Sequence, residues 1–132
     1  MNLKLKVGAI KMNYKFEINE KLPSLNEYTK ACRTNKFIGA KMKEETENII
    51  WVYIKQQLKC SKINKPVKIH FTWAEENKKR DLDNICFAKK FILDALVKAN
   101  VLENDTQNFV KGFTDNFEYN TENKVIVEIE EV

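Results

Sequence analysis

Lys79-Arg80-Asp81-Leu82-Asp83-Asn84 holds the residue types best suited to chemistry. Asp81 and Asp83 stand two residues apart, where a charged connection from Glu75 to Arg80 gives way to a helical pattern. Carboxylates so placed can hold one hard divalent cation, because Mg²⁺ binds through one or two carboxylates while waters and substrate phosphates complete its shell. The plainer alternative is local: Asp83 caps the helix and Asp81 complements its positive end. On the D-x-D spacing alone, capping is the more economical explanation.

The following helix, expected from Asn84 to about Lys98 without a break, shifts that balance. At ~100° per residue, Ile85, Ala88, Ile92, Ala95, Leu96 and Ala99 share one apolar face. Measured from Asp83, Phe87 lies ~40° round the axis, and Lys90 and Asp94 each ~20°. Lys90 therefore faces the same side as Asp83, ~10 Å further along, whereas Lys89 points ~120° away. Such an aligned carboxylate, aromatic and lysine could meet a phosphate backbone or form a solvated face. Phe87 and Phe91 lie off the apolar face, at ~40° and ~80° from Asp83. Left in water they would be costly, so a partner surface beside the site is expected to cover them, in preference to segments of the same chain.

The elements that must position these residues follow from periodicity. Tyr14, Phe16 and Ile18 alternate with polar residues, as in a half-buried strand over residues 13–19, and Leu22 to Asn26 brings turn chemistry. Ala31 to Ile38 shows no period and is read as loop. From Gly39 to Lys59 apolar residues recur at helical spacing, with Glu44, Glu45 and Glu47 early and Lys55 and Lys59 late. Val67, Ile69, Phe71 and Trp73 mark a second strand, with His70, the only histidine, on its polar face in a bland role. Residues 108–118 and 124–130 read as a terminal pair of strands. The expected class is α+β: one domain over residues 1–132, ordered β-α-β-α-β-β, with a small mixed sheet packed against two helices. Residues 1–11 would form an extra strand or a flexible leader.

The 132 residues suit one domain, and 43% hydrophobic residues with three Gly and two Pro exclude fibrous and disordered classes. No run approaches the ~20 apolar residues of a membrane span, and Met1 to Lys11 lacks the apolar region of a secretory signal. Cys32, Cys60 and Cys86 are odd in number and not spaced as metal pairs, which fits the reducing cytoplasm. Residues 1–68 hold 15 Lys/Arg against 6 Asp/Glu, a net +9, and residues 69–132 hold 8 against 13, a net −5. The basic half is compatible with a polyanionic partner but by itself selects none.

Three segments together carry more information: Arg80-Asp81-Leu82-Asp83-Asn84, Phe91-Ile92-Leu93-Asp94-Ala95-Leu96, and Val101-Leu102-Glu103-Asn104-Asp105-Thr106-Gln107. They resemble the RusA family of Holliday junction resolvases, and Pro23-Ser24-Leu25-Asn26-Glu27-Tyr28 resembles that family's early P-S-x-N-x-Y segment. The longer NICFAKKFILDAL form resembles phage and prophage members. The resemblance implies a metal-dependent endodeoxyribonuclease, using Mg²⁺ or Mn²⁺ in its place, that nicks four-way DNA junctions symmetrically as a homodimer. Its carboxylates would fall on Asp81, Asp83 and Asp105 and its essential lysine on Lys90, the lysine that the facing argument also favours. The sequence departs from the pattern at Asn104, where some members carry another Asp.

The implied chemistry is coherent. Divalent ions held by a few carboxylates can activate water, neutralise charge on phosphorus and stabilise the leaving oxygen without a histidine base. Lys90 would steady the developing charge, and Lys78, Lys79, Arg80 and Lys89 would grip neighbouring phosphates. Asp105 lies seven residues beyond the helix end, a reach of ~24 Å if almost fully extended, against a helix ~21 Å long. It can just return to its own Asp83, or it can serve the partner's site. A nuclease for other branched DNA and a non-catalytic DNA-binding phage accessory protein are the alternatives.

Overall fold

The computed structural model describes residues 11–132. The expectation of an extra strand or leader over residues 1–11 therefore falls, Lys11 apart, outside the described residues. Strand β1 (Asn13–Ile18) leads into α1 (Leu25–Thr34) and α2 (Lys36–Leu58). Strand β2 (Val67–Glu75) is followed by α3 (Leu82–Cys86) and α4 (Lys89–Lys98), then by β3 (Val110–Tyr119) and β4 (Lys124–Glu131).

Two features differ from the sequence expectation. The segment read as loop, Ala31 to Ile38, is the junction of two helices. The α1 start is fixed by a capping box: Ser24 accepts from the Glu27 backbone at 3.1 Å, and Glu27 accepts from the Ser24 backbone at 3.3 Å. Asn35 then divides the helices, its N–H closing α1 on Ala31 and its side chain accepting from the Phe37 N–H at 2.8 Å. No period marks α1 because Ala31 is its one buried residue. The next turn packs close, since a Cβ on Gly39 would meet Cys32 Sγ at 2.5 Å.

The second difference is that the helix expected from Asn84 to Lys98 is broken at Phe87 and Ala88. Around the break Ala88, Lys90 and Phe91 donate to carbonyls three residues back, at 3.3, 3.1 and 3.0 Å. These are 3₁₀ steps, each turning ~120° instead of ~100°.

The sheet order is β1-β4-β2-β3. β4 runs antiparallel to both β1 and β2, whereas β3 is parallel to β2, so α3 and α4 form the crossover. The two last strands are thus not neighbours of each other. Phe16, Ile18, Ile69, Phe71, Trp73, Val127 and Ile129 point to the helices and are buried with Ile50, Ile54, Phe91, Ile92 and Leu96. Each such side chain contributes about 1.5–3 kcal/mol by leaving water. The opposite face is polar. There His70 joins Thr114 Oγ1 at 2.6 Å and Glu130 Oε2 at 2.8 Å. The histidine bond holds the Glu130 carboxyl below its usual range.

Candidate active site

Three sequence segments meet at the end of β2. Glu75, buried at the strand end, accepts from Arg80 Nε at 2.8 Å and from a terminal Arg80 nitrogen at 2.7 Å. The other terminal nitrogen donates to the Leu22 carbonyl at 2.9 Å, just before α1. Arg80 is thus a strut, its side chain 14% exposed, and its guanidinium, expected to grip a phosphate, is engaged within the chain. Asn84 adds a second tie by accepting from the Asn26 N–H at 3.0 Å, one of the free donors at the α1 start.

This bracing sets Asp81 at the helix N-cap position in extended backbone, φ −70° and ψ 155°, with no side-chain capping bond. Asp83 lies in the first turn, and both aspartates are exposed. Capping therefore does not account for this pair: the residue at the cap position leaves its carboxylate unused.

Beside them the structure brings in a residue that the sequence reading missed. Asp115 of β3 pairs in register with Phe71 and lies on the helix side of the sheet. It accepts from Trp73 Nε1 at 2.8 Å and from Lys89 Nζ at 2.7 Å. The Lys89 ammonium also stands 5.3 Å from the Phe71 ring centre and 4.7 Å from that of Phe113. Half-buried Cys86 reports the proximity of these groups: burial raises its thiol pKa, Asp115 and Asp83 raise it further, and Lys89 opposes them. The signal for Asp115 was in the strand pattern, a carboxylate on the same parity as Phe113 and Phe117.

Lys90 turns elsewhere. Its ammonium lies 3.3 Å from Asp94, which also pairs with Lys43 at 3.7 Å, and it lines a small cavity with Tyr28, Phe87 and Phe91. The facing argument for Lys90 assumed an unbroken helix, and the break at Phe87 and Ala88 removes that premise. The 3₁₀ steps at the break add rotation to a regular helix, so uniform ~100° spacing does not carry through to Lys89 and Lys90. Phe87 and Phe91 are likewise covered by their own chain. Tyr28 stacks on Phe87 at 5.6 Å and meets Phe91 edge-on at 5.5 Å, and Phe91 is buried. Neighbouring Glu47 is largely buried with one carboxylate oxygen lacking a hydrogen bond, and burial raises its pKa.

Asp105 lies in the turn that precedes β3, and Asp81 and Asp83 follow the end of β2. Val110 donates to the Thr106 carbonyl at 2.9 Å, so the Asp105 turn sits at the Val67–Val110 end of the parallel pair. Asp81 follows the opposite end, at Glu75, and eight strand steps separate the two ends by ~26 Å. The connection is not extended, because Leu102 bridges Ile63. Among the described residues no three Asp, Glu, His or Cys side chains are grouped to hold a metal ion. Of the remaining cations, Lys78 covers the Tyr119 ring at 5.0 Å, and Lys79 is exposed.

The donor set nevertheless fits a hard ion in part. Two exposed carboxylates, the one at the N-cap position making no capping bond, match the one or two that Mg²⁺ takes from protein. No helix among the described residues is long and apolar enough to cross a membrane. Comparison with curated proteins finds no match. The family model for endodeoxyribonuclease RusA, whose nucleases are generally metal-dependent, matches residues 11–130, taking in the capping box, the D-L-D-N box, the Asp105 turn and all four strands. The chain belongs to the RusA endodeoxyribonuclease family of Holliday junction resolvases and is a crossover junction endonuclease.

Proposed function

We propose that this enzyme resolves four-way junctions by paired symmetric nicks as a homodimer, with Asp81 and Asp83 of one copy and Asp105 of the other holding Mg²⁺. The observation that carries the reading is the uncapped Asp81 beside Asp83, two carboxylates braced by Arg80 and Asn84 and facing solvent. The ion would supply Lewis-acid activation of water and charge neutralisation at phosphorus. Lys89, steered by Asp115, steadies the charge that develops on the scissile phosphate. Lys78 and Lys79 hold flanking phosphates, and the basic N-terminal half adds salt-sensitive affinity. The Asp105 turn at the Val110 end of the parallel pair and the aspartates that follow its Glu75 end favour a site completed by a second copy, and closed two-fold pairing supplies two such sites. The three free cysteines suit a reducing cytoplasm.

The test is nicking of a synthetic four-way junction with Mg²⁺, beside linear duplex and flap controls. Symmetric cuts in the junction alone are expected, and equal cutting of flaps would overturn the substrate assignment. Asp83→Asn and Asp105→Asn should each be inactive, yet co-expressed together they should regain nicking through the one intact composite site. Failure to regain it places all three carboxylates in one copy.

A further inference from the structure

Beside the carboxylate site, one surface does not resemble an ordinary solvated edge. β3 is the terminal strand of the sheet, and its residues Phe113, Asp115, Phe117 and Tyr119 pair with Ile69, Phe71, Trp73 and Glu75. They therefore share the face that elsewhere packs against helices. At this edge the cover runs out: Phe113 is 44% exposed, Tyr119 is 45% exposed, and Phe117 is half-buried. Edge strands are usually guarded by charge, and aromatic side chains left open on one mark a contact surface. Here the two most exposed rings each carry a lysine, Lys89 at 4.7 Å from Phe113 and Lys78 at 5.0 Å from Tyr119. From Phe113 to Tyr119 the row is ~20 Å long, the length of several nucleotides.

We infer that the β3 edge is a base-stacking shelf, on which Phe113, Phe117 and Tyr119 receive unpaired bases of branched DNA while Lys78 and Lys79 hold their phosphates. Aromatic faces and lysines suit such an occupant, because every base offers a π-face whatever its identity. Asp115, the one carboxylate in the row, is already engaged by Trp73 and Lys89, so it leaves little to read base edges or repel phosphate. The inference rests on the DNA-cleaving reading for its ligand but not on the carboxylates.

The experiment measures binding in EDTA of a labelled oligo(dT) strand and of a duplex of equal length by fluorescence anisotropy. The proteins are the full chain, Phe113→Leu, Phe113→Trp and Tyr119→Leu. Both leucine variants should bind oligo(dT) about tenfold more weakly, with duplex affinity within about twofold, and Phe113→Trp should bind as the parent does. Leucine keeps the apolar bulk and removes the π-face, so it separates stacking from packing. If one variant fails to fold, the other alone decides. Leucine variants that bind oligo(dT) normally, or that weaken strand and duplex alike, overturn the shelf. A protein that nicks no DNA with Mg²⁺ yet shows the leucine effect overturns the nuclease reading and leaves the shelf standing.

Discussion

Lys89 and Lys90 are adjacent in sequence and occupy opposite environments. The Lys89 side chain, 18% exposed, ends 2.7 Å from Asp115 and beneath two aromatic rings. The Lys90 side chain, 60% exposed, ends 3.3 Å from Asp94 in a loose network with Lys43 and Glu47. A short charge-assisted bond in a partly buried site fixes an ammonium in place, whereas an exposed i,i+4 pair is worth a few tenths of a kcal/mol. The difference shows how a two-residue break in a helix can select which of two identical side chains is preorganised.

The comparison is broken most severely by removing what Lys89 serves. Asp81→Asn and Asp83→Asn should each lower nicking by at least about a thousandfold while junction affinity stays within a few-fold, measured by single-turnover cleavage and gel shift. Next comes the strut beneath both carboxylates. Arg80→Ala leaves Glu75 buried without its partner and should destabilise the fold by about 3–5 kcal/mol in urea denaturation. A milder change sharpens the contrast: Asp115→Asn frees Lys89 without deleting it, so nicking should fall about 10- to 100-fold with an unchanged melting temperature. An equal loss on Asp94→Asn would erase the distinction between the two sides.

The smallest effect lies on the Lys90 side and depends on pH. Burial raises the Glu47 pKa above its ordinary 4.5, so the folded protein holds this proton more tightly than the unfolded chain does. Stability from this group is present below pH 4.5 and is lost as pH rises through the elevated folded value. Glu47→Gln should therefore stabilise by about 1 kcal/mol at pH 7, and the gain should vanish at acid pH. Thermal melts across that range check it.

How much of this was legible in the sequence depends on the physics involved. β1, β2 and the long α2 helix carry strong periods because each buries one face, and they lie where the pattern put them. The α1 helix buries little beyond Ala31, so periodicity passed over it, although the Ser24–Glu27 capping box was readable. The D-L-D-N box and its family were legible from residue types, but the roles of its Arg and Asn were not. Arg80 reaches back to Glu75 and Leu22, and Asn84 reaches Asn26, ties that exist only once the chain has folded. The Lys89–Asp115 contact was not foreseen because uniform helix geometry was carried through residues 87 and 88. Asp115 escaped notice because its partners, Trp73 and Lys89, are 42 and 26 residues away in the chain.

Single-turnover nicking of a four-way junction by Lys89→Ala and Lys90→Ala, side by side in Mg²⁺, tests the central claim most directly. Lys89→Ala should slow cleavage by about a hundredfold or more, and Lys90→Ala by no more than a few-fold. The opposite ranking would contradict the account, because it would mean that the lysine paired with Asp94 does the chemistry and the one held by Asp115 does not.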